Sequence, residues 1–531
     1  MHSELSGKSA MKMSRSTRVV ICSAIIVASI AFSLSFRLPF LTNLLAGEEG
    51  SHAYLVVGPK PVINSTDPSI WLGVSDVFPG SHAYANFVGR LGGRDLLVFM
   101  ARNLMAYEFL DKGARQINRL LPPCRDLSMR CISVSARLPF LVLFEFGLLV
   151  GLLAIRKSFA IDRPRTLAIQ LLAIAYLVSA PLVVAASVQP QIDGALGVLV
   201  VLSSSAILLQ ADSLPFRGRV LAAFAAGAVG SLVKNEWALA LAASTLSATL
   251  IAVAASFRTS LQRPNTPTRS QMLGFCLAVL TGIAVCQYLL YLFEPQAFLA
   301  GLSIIAHVAG GSNSSIVETL RHNWSLIYPV FIACAGVAGL LSMRLARYCI
   351  ERPSLAIVSF WAIAVVAGYT YSGGLGDGFP RYYSPPAMLA AVALTLLISD
   401  ITVGRVAWAA AAALTIGIYV NASSAVRSYR HHLAIGTWRG ESLDVMQRGY
   451  EKDAEVARAT GATVMESSAI GIYFHDIDWI TSENRVEGSI DALRYFRPDR
   501  EPKLYVPEMF VSWCVPKLSR YLIGCPDRSA N

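Results

Sequence analysis

"VVICSAIIVASIAFSLSF", residues 19–36, is a mostly apolar stretch without a charge, preceded by Lys8, Lys12, Arg15 and Arg18. Wound as an α-helix at about 1.5 Å per residue, it reaches roughly 27 Å, close to the thickness of a bilayer's hydrocarbon core. A basic flank before an apolar run also fits a secretory signal peptide. The following "FRLPFLTNLLAGEEG" lacks a clean small-x-small cleavage site, so a retained anchor with a cytoplasmic N-terminus is expected.

The rest of the chain extends that reading. Of its 531 residues, 54% are hydrophobic and 15% charged, whereas a soluble globular protein carries about 25% charged residues. Hydropathy predicts about eleven spans, near 19–36, 137–155, 167–187, 192–210, 219–233, 236–256, 272–293, 324–343, 354–372, 383–400 and 406–422. The net charge of +11 could suggest a nucleic-acid binder. Its Lys and Arg residues sit instead in short loops beside apolar runs, as the positive-inside rule expects, and no nucleic-acid partner is inferred. With the N-terminus inside, the cytoplasmic loops hold Arg156, Lys157, Arg163 and Arg165, then Arg217 and Arg219. Arg258, Arg263 and Arg269 follow, then Arg344, Arg347 and Arg352, then Arg405.

The nine cysteines divide along the same line. Cys22, Cys276, Cys286, Cys334 and Cys349 fall in spans or an inside loop. Cys124 with Cys131, and Cys514 with Cys525, form close pairs on the outside, where an oxidising compartment favours disulfides.

The fold class expected is therefore mostly α: a polytopic helical membrane protein with a transmembrane domain, 1–422, and an extracytoplasmic C-terminal domain, 423–531. A long outer loop, about 37–136, contains "RDLLVFMARNLMAYEFLDKGARQINRLL", in which Leu97, Met100, Leu104 and Tyr107 recur at helical spacing. That pattern predicts interfacial helices in the headgroup plane. In the C-terminal domain "ESLDVMQRGYEKDAEVARATG" predicts a polar helix stopped by Gly461. Strand-like "ATVM", "GIYF" and "KLYV" follow, so a small α/β domain is expected. The pentapeptide "GSHAY" at 50–54 and 80–84 does not extend into its flanks and reads as coincidence.

Charges are costly in a bilayer, so polar clusters at span ends attract functional hypotheses. Four lie on the outer side. Glu48 and Glu49, with His52, leave the first span; adjacent carboxylates repel, which raises one towards a useful proton acceptor. Gln191 and Asp193 open the fourth span, where helix capping is the plainer reading. Lys234, Asn235, Glu236 and Trp237 join the fifth and sixth spans, and the lysine could meet a phosphate as a point charge. Asp377, Arg381, Tyr382 and Tyr383 precede the tenth span, where a guanidinium suits bidentate phosphate recognition. Acid and cations at one surface suggest a lipid-phosphate substrate.

With "GEEGSHAY" after the first span, "ARLPFLVLFEFGLLVG" opening the second, "QIDGALGVL", "GSLVKNEWALALA" and "RYYSPPAMLA" in that order, residues 30–400 resemble the GT-C superfamily of integral-membrane glycosyltransferases. The nearest likeness is to the protein-mannosyltransferase and aminoarabinose-transferase branch. The resemblance implies a polyprenyl-phosphate sugar donor, a glycan, lipid or protein acceptor, surrounding membrane lipids, and transfer with inversion. A loop carboxylate would be the base: Glu49 ahead of Glu48, since Glu-Glu stands here where the family often has Asp-Glu or a lone Asp. Lys234 and Arg381 would handle the lipid phosphate, with Asp193, Tyr382 and His52 as further substrate contacts. No cofactor is expected; a divalent metal is compatible but nothing demands one. Multi-pass insertion in a bacterial inner membrane follows from the same likeness.

Two rivals remain. A lipid-linked polysaccharide polymerase or ligase would draw on His307, Arg321 and His322. A transporter would need charges near mid-span, and Glu145 is the one carboxylate well inside a span.

Overall fold

The structure, a computed structural model, describes residues 14–42, 129–189, 192–258, 268–293, 316–371, 380–401, 406–431, 443–465, 470, 473–474, 476–480, 485–496 and 499–525. Glu48, Glu49, His52, both GSHAY pentapeptides, the interfacial-helix stretch and the Cys124–Cys131 pairing lie outside them.

Apolar helices form at every segment where hydropathy placed a span. They are α1 (Arg15–Arg37), α2 (Met129–Ile155), α3 (Pro164–Val178) with α4 (Pro181–Val188), and α5 (Gly197–Ala211) behind a π-turn at Ile192–Leu196. Then come α6 (Phe216–Gly230), α7 (Asn235–Arg258), α8 (Arg269–Phe293) and α9 (Ile316–Ser342) with the short α10 (Leu345–Glu351). The bundle ends with α11 (Pro353–Tyr371), α12 (Ser384–Ser399) and α13 (Val406–His431).

By length and composition, however, six described helices can cross a membrane, or up to eight if each bent pair is one crossing. That is fewer than the eleven expected. The third segment breaks before Pro181, whose ring and missing N–H stop α3, and α4 leaves at 58°. The 15-residue α6 and the 16-residue α12 reach only roughly 22–24 Å at 1.5 Å per residue. α12 is nonetheless the centre of the bundle. It packs against α3, α5, α9 and α11, and it is buried on nearly all sides, as its apolar sequence all round requires.

Helix ends alternate between two faces of the bundle. At one face Arg18 pairs with Asp162 at 2.7 Å, Arg352 with Asp400 at 2.5 Å, and Arg163 donates to the Ser399 carbonyl. Arg219 donates to the Asp212 carbonyl, Ser354 to the Asp212 carboxylate, and Arg269 to Ser256. These arginines come from the loops the charge pattern grouped together. This face is called the arginine end, and the opposite one the far end.

The C-terminal part contains α14 (Leu443–Thr460), α15 (Arg485–Phe496) and a parallel four-stranded sheet. Its strands are β1 (Thr463–Met465), β2 (Trp479–Ile480), β3 (Leu504–Tyr505) and β4 (Leu522–Ile523), ordered β2-β1-β3-β4. Gly461, at φ 64°, ends α14 as the sequence suggested. The expected strand "GIYF" is corrected: the Phe474 N–H donates to the Ile470 carbonyl, a helical bond, and Trp479–Ile480 takes the place in the sheet. The Cys514–Cys525 disulfide forms beside β4, and the five cysteines assigned to spans or the inside loop are free. The domain attaches to the first turns of α2, where Met129 and Ile132 pack on its core and Ser133 and Tyr473 share a 2.7 Å hydrogen bond.

α6 and α8 approach through small residues. A Cβ on Gly227 would collide with the Val279 carbonyl, and one on Gly282 with the Phe224 carbonyl, so each helix presses on the other's backbone. Gly227→Val and Gly282→Val should each lower stability by roughly 1–3 kcal/mol, read as the melting temperature of detergent-solubilised protein. Gly339→Ala and Gly368→Ala, with open space around them, should not. Equal behaviour of both sets would refute the close approach.

Burial raises the Asp212 carboxyl to about 6, opposed by the Ser354 bond and by Arg219 and Arg352. A carboxyl raised on folding stabilises most fully below its unfolded value near 4, and that contribution is lost as pH rises through 6. Asp212→Asn should therefore flatten the fall in melting temperature between pH 4 and 7. A slope unchanged by the substitution would exclude Asp212 as its source.

Candidate functional site

At the far end, turns remote in sequence come together. Lys234 closes the link between α6 and α7, and its carbonyl accepts from the Ala238 N–H, beginning the α7 ladder. Its side chain is 5% exposed, and Nζ stands 3.9 Å from the centre of the Tyr382 ring. Tyr382 comes from the 3₁₀ turn Pro380–Tyr383 that leads into α12. A desolvated cation on an aromatic face is worth about 2 kcal/mol. Two of the four sequence clusters thus make direct contact.

Aromatic packing holds that contact in place. Tyr382 stacks on Tyr369 at 5.1 Å, and Tyr383 lies 5.9 Å from the same ring. The Trp237 indole N–H donates to the Tyr369 hydroxyl at 2.9 Å, and Trp361 donates to the Trp237 carbonyl at 3.0 Å. Buried indoles need such acceptors, so each tryptophan cross-ties α7 to α11.

The third cluster joins through glycine. A Cβ on Gly197, at the start of α5, would strike the Trp237 ring and stand 3.0 Å from Pro385. Only hydrogen fits where α5, α7 and α12 converge. The π-turn Ile192–Leu196, which carries Asp193, contacts the Pro380–Tyr383 turn, which carries Arg381. The turns that carry Asp193 and Arg381 therefore touch, and the second of them meets Lys234 through Tyr382; the side chains of Asp193 and Arg381, like Glu48, Glu49 and His52, are outside what is described. Among the described residues no group of three or more His, Cys, Asp or Glu could hold a metal.

One assembly escaped sequence reasoning. Arg37, fully buried at the end of α1, donates to Ser187 Oγ at 2.7 Å and to the carbonyls of Ser33 and Val178. Its guanidinium covers the Phe144 ring at 4.2 Å and lies 3.8 Å from the Glu145 carboxylate, which accepts from Ser33. Ser187 belongs to α4, which also contacts the Pro380–Tyr383 turn, so this cluster adjoins the Lys234 region. The available signal was a pair of opposite charges, Arg37 and Glu145, each embedded in an apolar run.

If Lys234 and Tyr382 are coupled as their geometry states, Tyr382→Phe should preserve stability and Tyr382→Leu should not. A double-mutant cycle with Lys234→Met should give about 1–2 kcal/mol of coupling in thermal or denaturant unfolding. Additive effects would dissolve the contact.

No protein-family model, curated protein or solved structure matches this chain.

Proposed function

We propose that the chain is a multi-pass membrane glycosyltransferase that moves a sugar from a polyprenyl-phosphate donor to a glycan, lipid or protein acceptor. The observation that carries this reading is the Lys234–Tyr382 contact, which seats a shielded cation among turns bearing Arg381 and Asp193. A buried ammonium on an aromatic face, at the end of a helical bundle, suits an anionic headgroup entering from the membrane.

In the reaction, Glu49, with Glu48 beside it, accepts the proton of the acceptor hydroxyl. The acceptor oxygen forms a bond to the anomeric carbon from the face opposite the phosphate. The carbon–oxygen bond to phosphate breaks, and its electron pair leaves on the lipid phosphate, giving inversion. Lys234 and Arg381 offset the charge that grows on that phosphate, and Tyr382, Asp193 and His52 line the substrate.

Orientation follows from two supports. Arginines crowd one end of the bundle, as cytoplasmic loops do. The Cys514–Cys525 disulfide belongs to the domain docked on the opposite end of α2, which suits an oxidising, extracytoplasmic compartment. About eleven crossings, a cytoplasmic N-terminus and a bacterial inner membrane complete the reading, with α6 and α12 as short crossings.

Glu48→Gln and Glu49→Gln should insert and fold normally, while at least one loses sugar transfer by 10²-fold or more, the usual scale of a general base. Arg381→Ala should weaken donor binding more than it lowers the melting temperature. Reconstituted enzyme with polyprenyl-phosphate sugars measures both. Full activity in both glutamine variants would remove the assigned base. Cells lacking the protein should accumulate the donor lipid; accumulation of no such lipid would favour a transporter, for which Arg37 and Glu145 within spans are the relevant charges.

A further inference from the structure

Asn235 opens α7 beside Lys234 and is 5% exposed, yet neither its Oδ1 nor its Nδ2 has a hydrogen-bond partner among the described residues. An amide buried that way costs several kcal/mol where water is scarce. An asparagine at a helix start ordinarily closes on a first-turn N–H; here the carbonyl oxygen is left unmet. Its neighbours are satisfied: Lys234 on Tyr382, Trp237 on Tyr369. Ser384, which opens α12, is also fully buried, and its Oγ has no partner among the described residues. Side chains from the two helix starts converge: Gly197 lies against the Trp237 ring and near Pro385, and Lys234 meets Tyr382.

We infer that Asn235 and Ser384 form a polyol-binding subsite next to the Lys234 phosphate position, so that a glycosyl phosphate lies with its sugar hydroxyls on Asn235. This inference rests on the glycosyl-phosphate reading above. The donor and acceptor edges of the amide are both unmet, and so is a hydroxyl. A phosphate only accepts: it would satisfy Nδ2 and leave Oδ1 facing negative charge. A sugar hydroxyl donates and accepts, meeting both edges and Ser384 Oγ alike. Glu236, partly buried in the same first turn, disfavours a second anion there and leaves a neutral ligand as the fitting one.

The test uses the full chain in detergent with polyprenyl phosphate and its glucosyl, mannosyl and N-acetylglucosaminyl esters. Wild type should bind at least one ester more tightly than the bare lipid phosphate. Asn235→Leu should abolish that preference, a loss of tenfold or more for the ester, while bare-phosphate affinity stays constant. Its melting temperature should hold or rise, since an orphaned amide is replaced by an apolar group of similar size. Ser384→Ala should reduce the preference several-fold, and Lys234→Ala should weaken every lipid tested. An ester preference that survives Asn235→Leu overturns the subsite, as does a variant that loses its fold, because the amide is then structural. Equal binding of bare and glycosylated lipid by wild type overturns this inference alone. Binding of neither removes the glycosyl-phosphate reading, and the subsite with it.

Discussion

A charge inside a bundle that faces hydrocarbon has two outlets: the bundle's ends, or another polar group within it. Nearly everything in this architecture follows from that restriction. Arg18, Arg163, Arg219, Arg269, Arg344 and Arg352 take the first outlet at one end, where Asp162, Asp212, Asp400, Ser256 and Ser399 supply the acceptors. Arg37 and Glu145 take the second.

What organises the far end is aromatic packing and the absence of side chains. Trp237, Tyr369, Tyr382 and Tyr383 form one connected stack across α7, α11 and the start of α12. Gly197 lets α5 reach that stack, as Gly194 lets its turn reach the Ala186 carbonyl of α4. Hydrogen-bonded rings at a helix junction resist the rotations that would separate Lys234 from Tyr382.

Hydropathy located the helices because the bilayer selects for apolar length, and the charge of the loops grouped those that share one face. Composition said less about continuity. The break before Pro181 lies inside a run that reads as one span, and α12 reads as a span although it is short. Short strands were partly legible: "ATVM" and "KLYV" contain β1 and β3, while Phe474 of "GIYF" makes a helical bond and Trp479–Ile480 went unseen. Three of the four polar clusters proved to share one end, but their sequence positions could not state which residues touch. The Lys234–Tyr382 contact and the orphaned amide of Asn235 depend on how α5, α7 and α12 cross. No periodicity within a single helix encodes that crossing.

The Arg37–Glu145 pair bears on how this bundle works. A carrier's charged residues must exchange partners as the site opens to each side. Arg37 cannot do so cheaply: three hydrogen bonds, an aromatic face and a carboxylate engage its guanidinium, and they come from α1, α2, α3 and α4. Removing any one partner leaves a buried charge short of compensation, at a cost of about 3–5 kcal/mol for the ion pair itself. Such a group acts as a clamp. It fixes the end of α1, and the next turn, Leu38–Thr42, is held in addition by Arg137 donating to the Phe40 carbonyl at 3.1 Å. The chain that leaves this anchored turn reaches Glu48 and Glu49 within a few residues. The buried arginine thus fixes the point from which the segment bearing the proposed base departs.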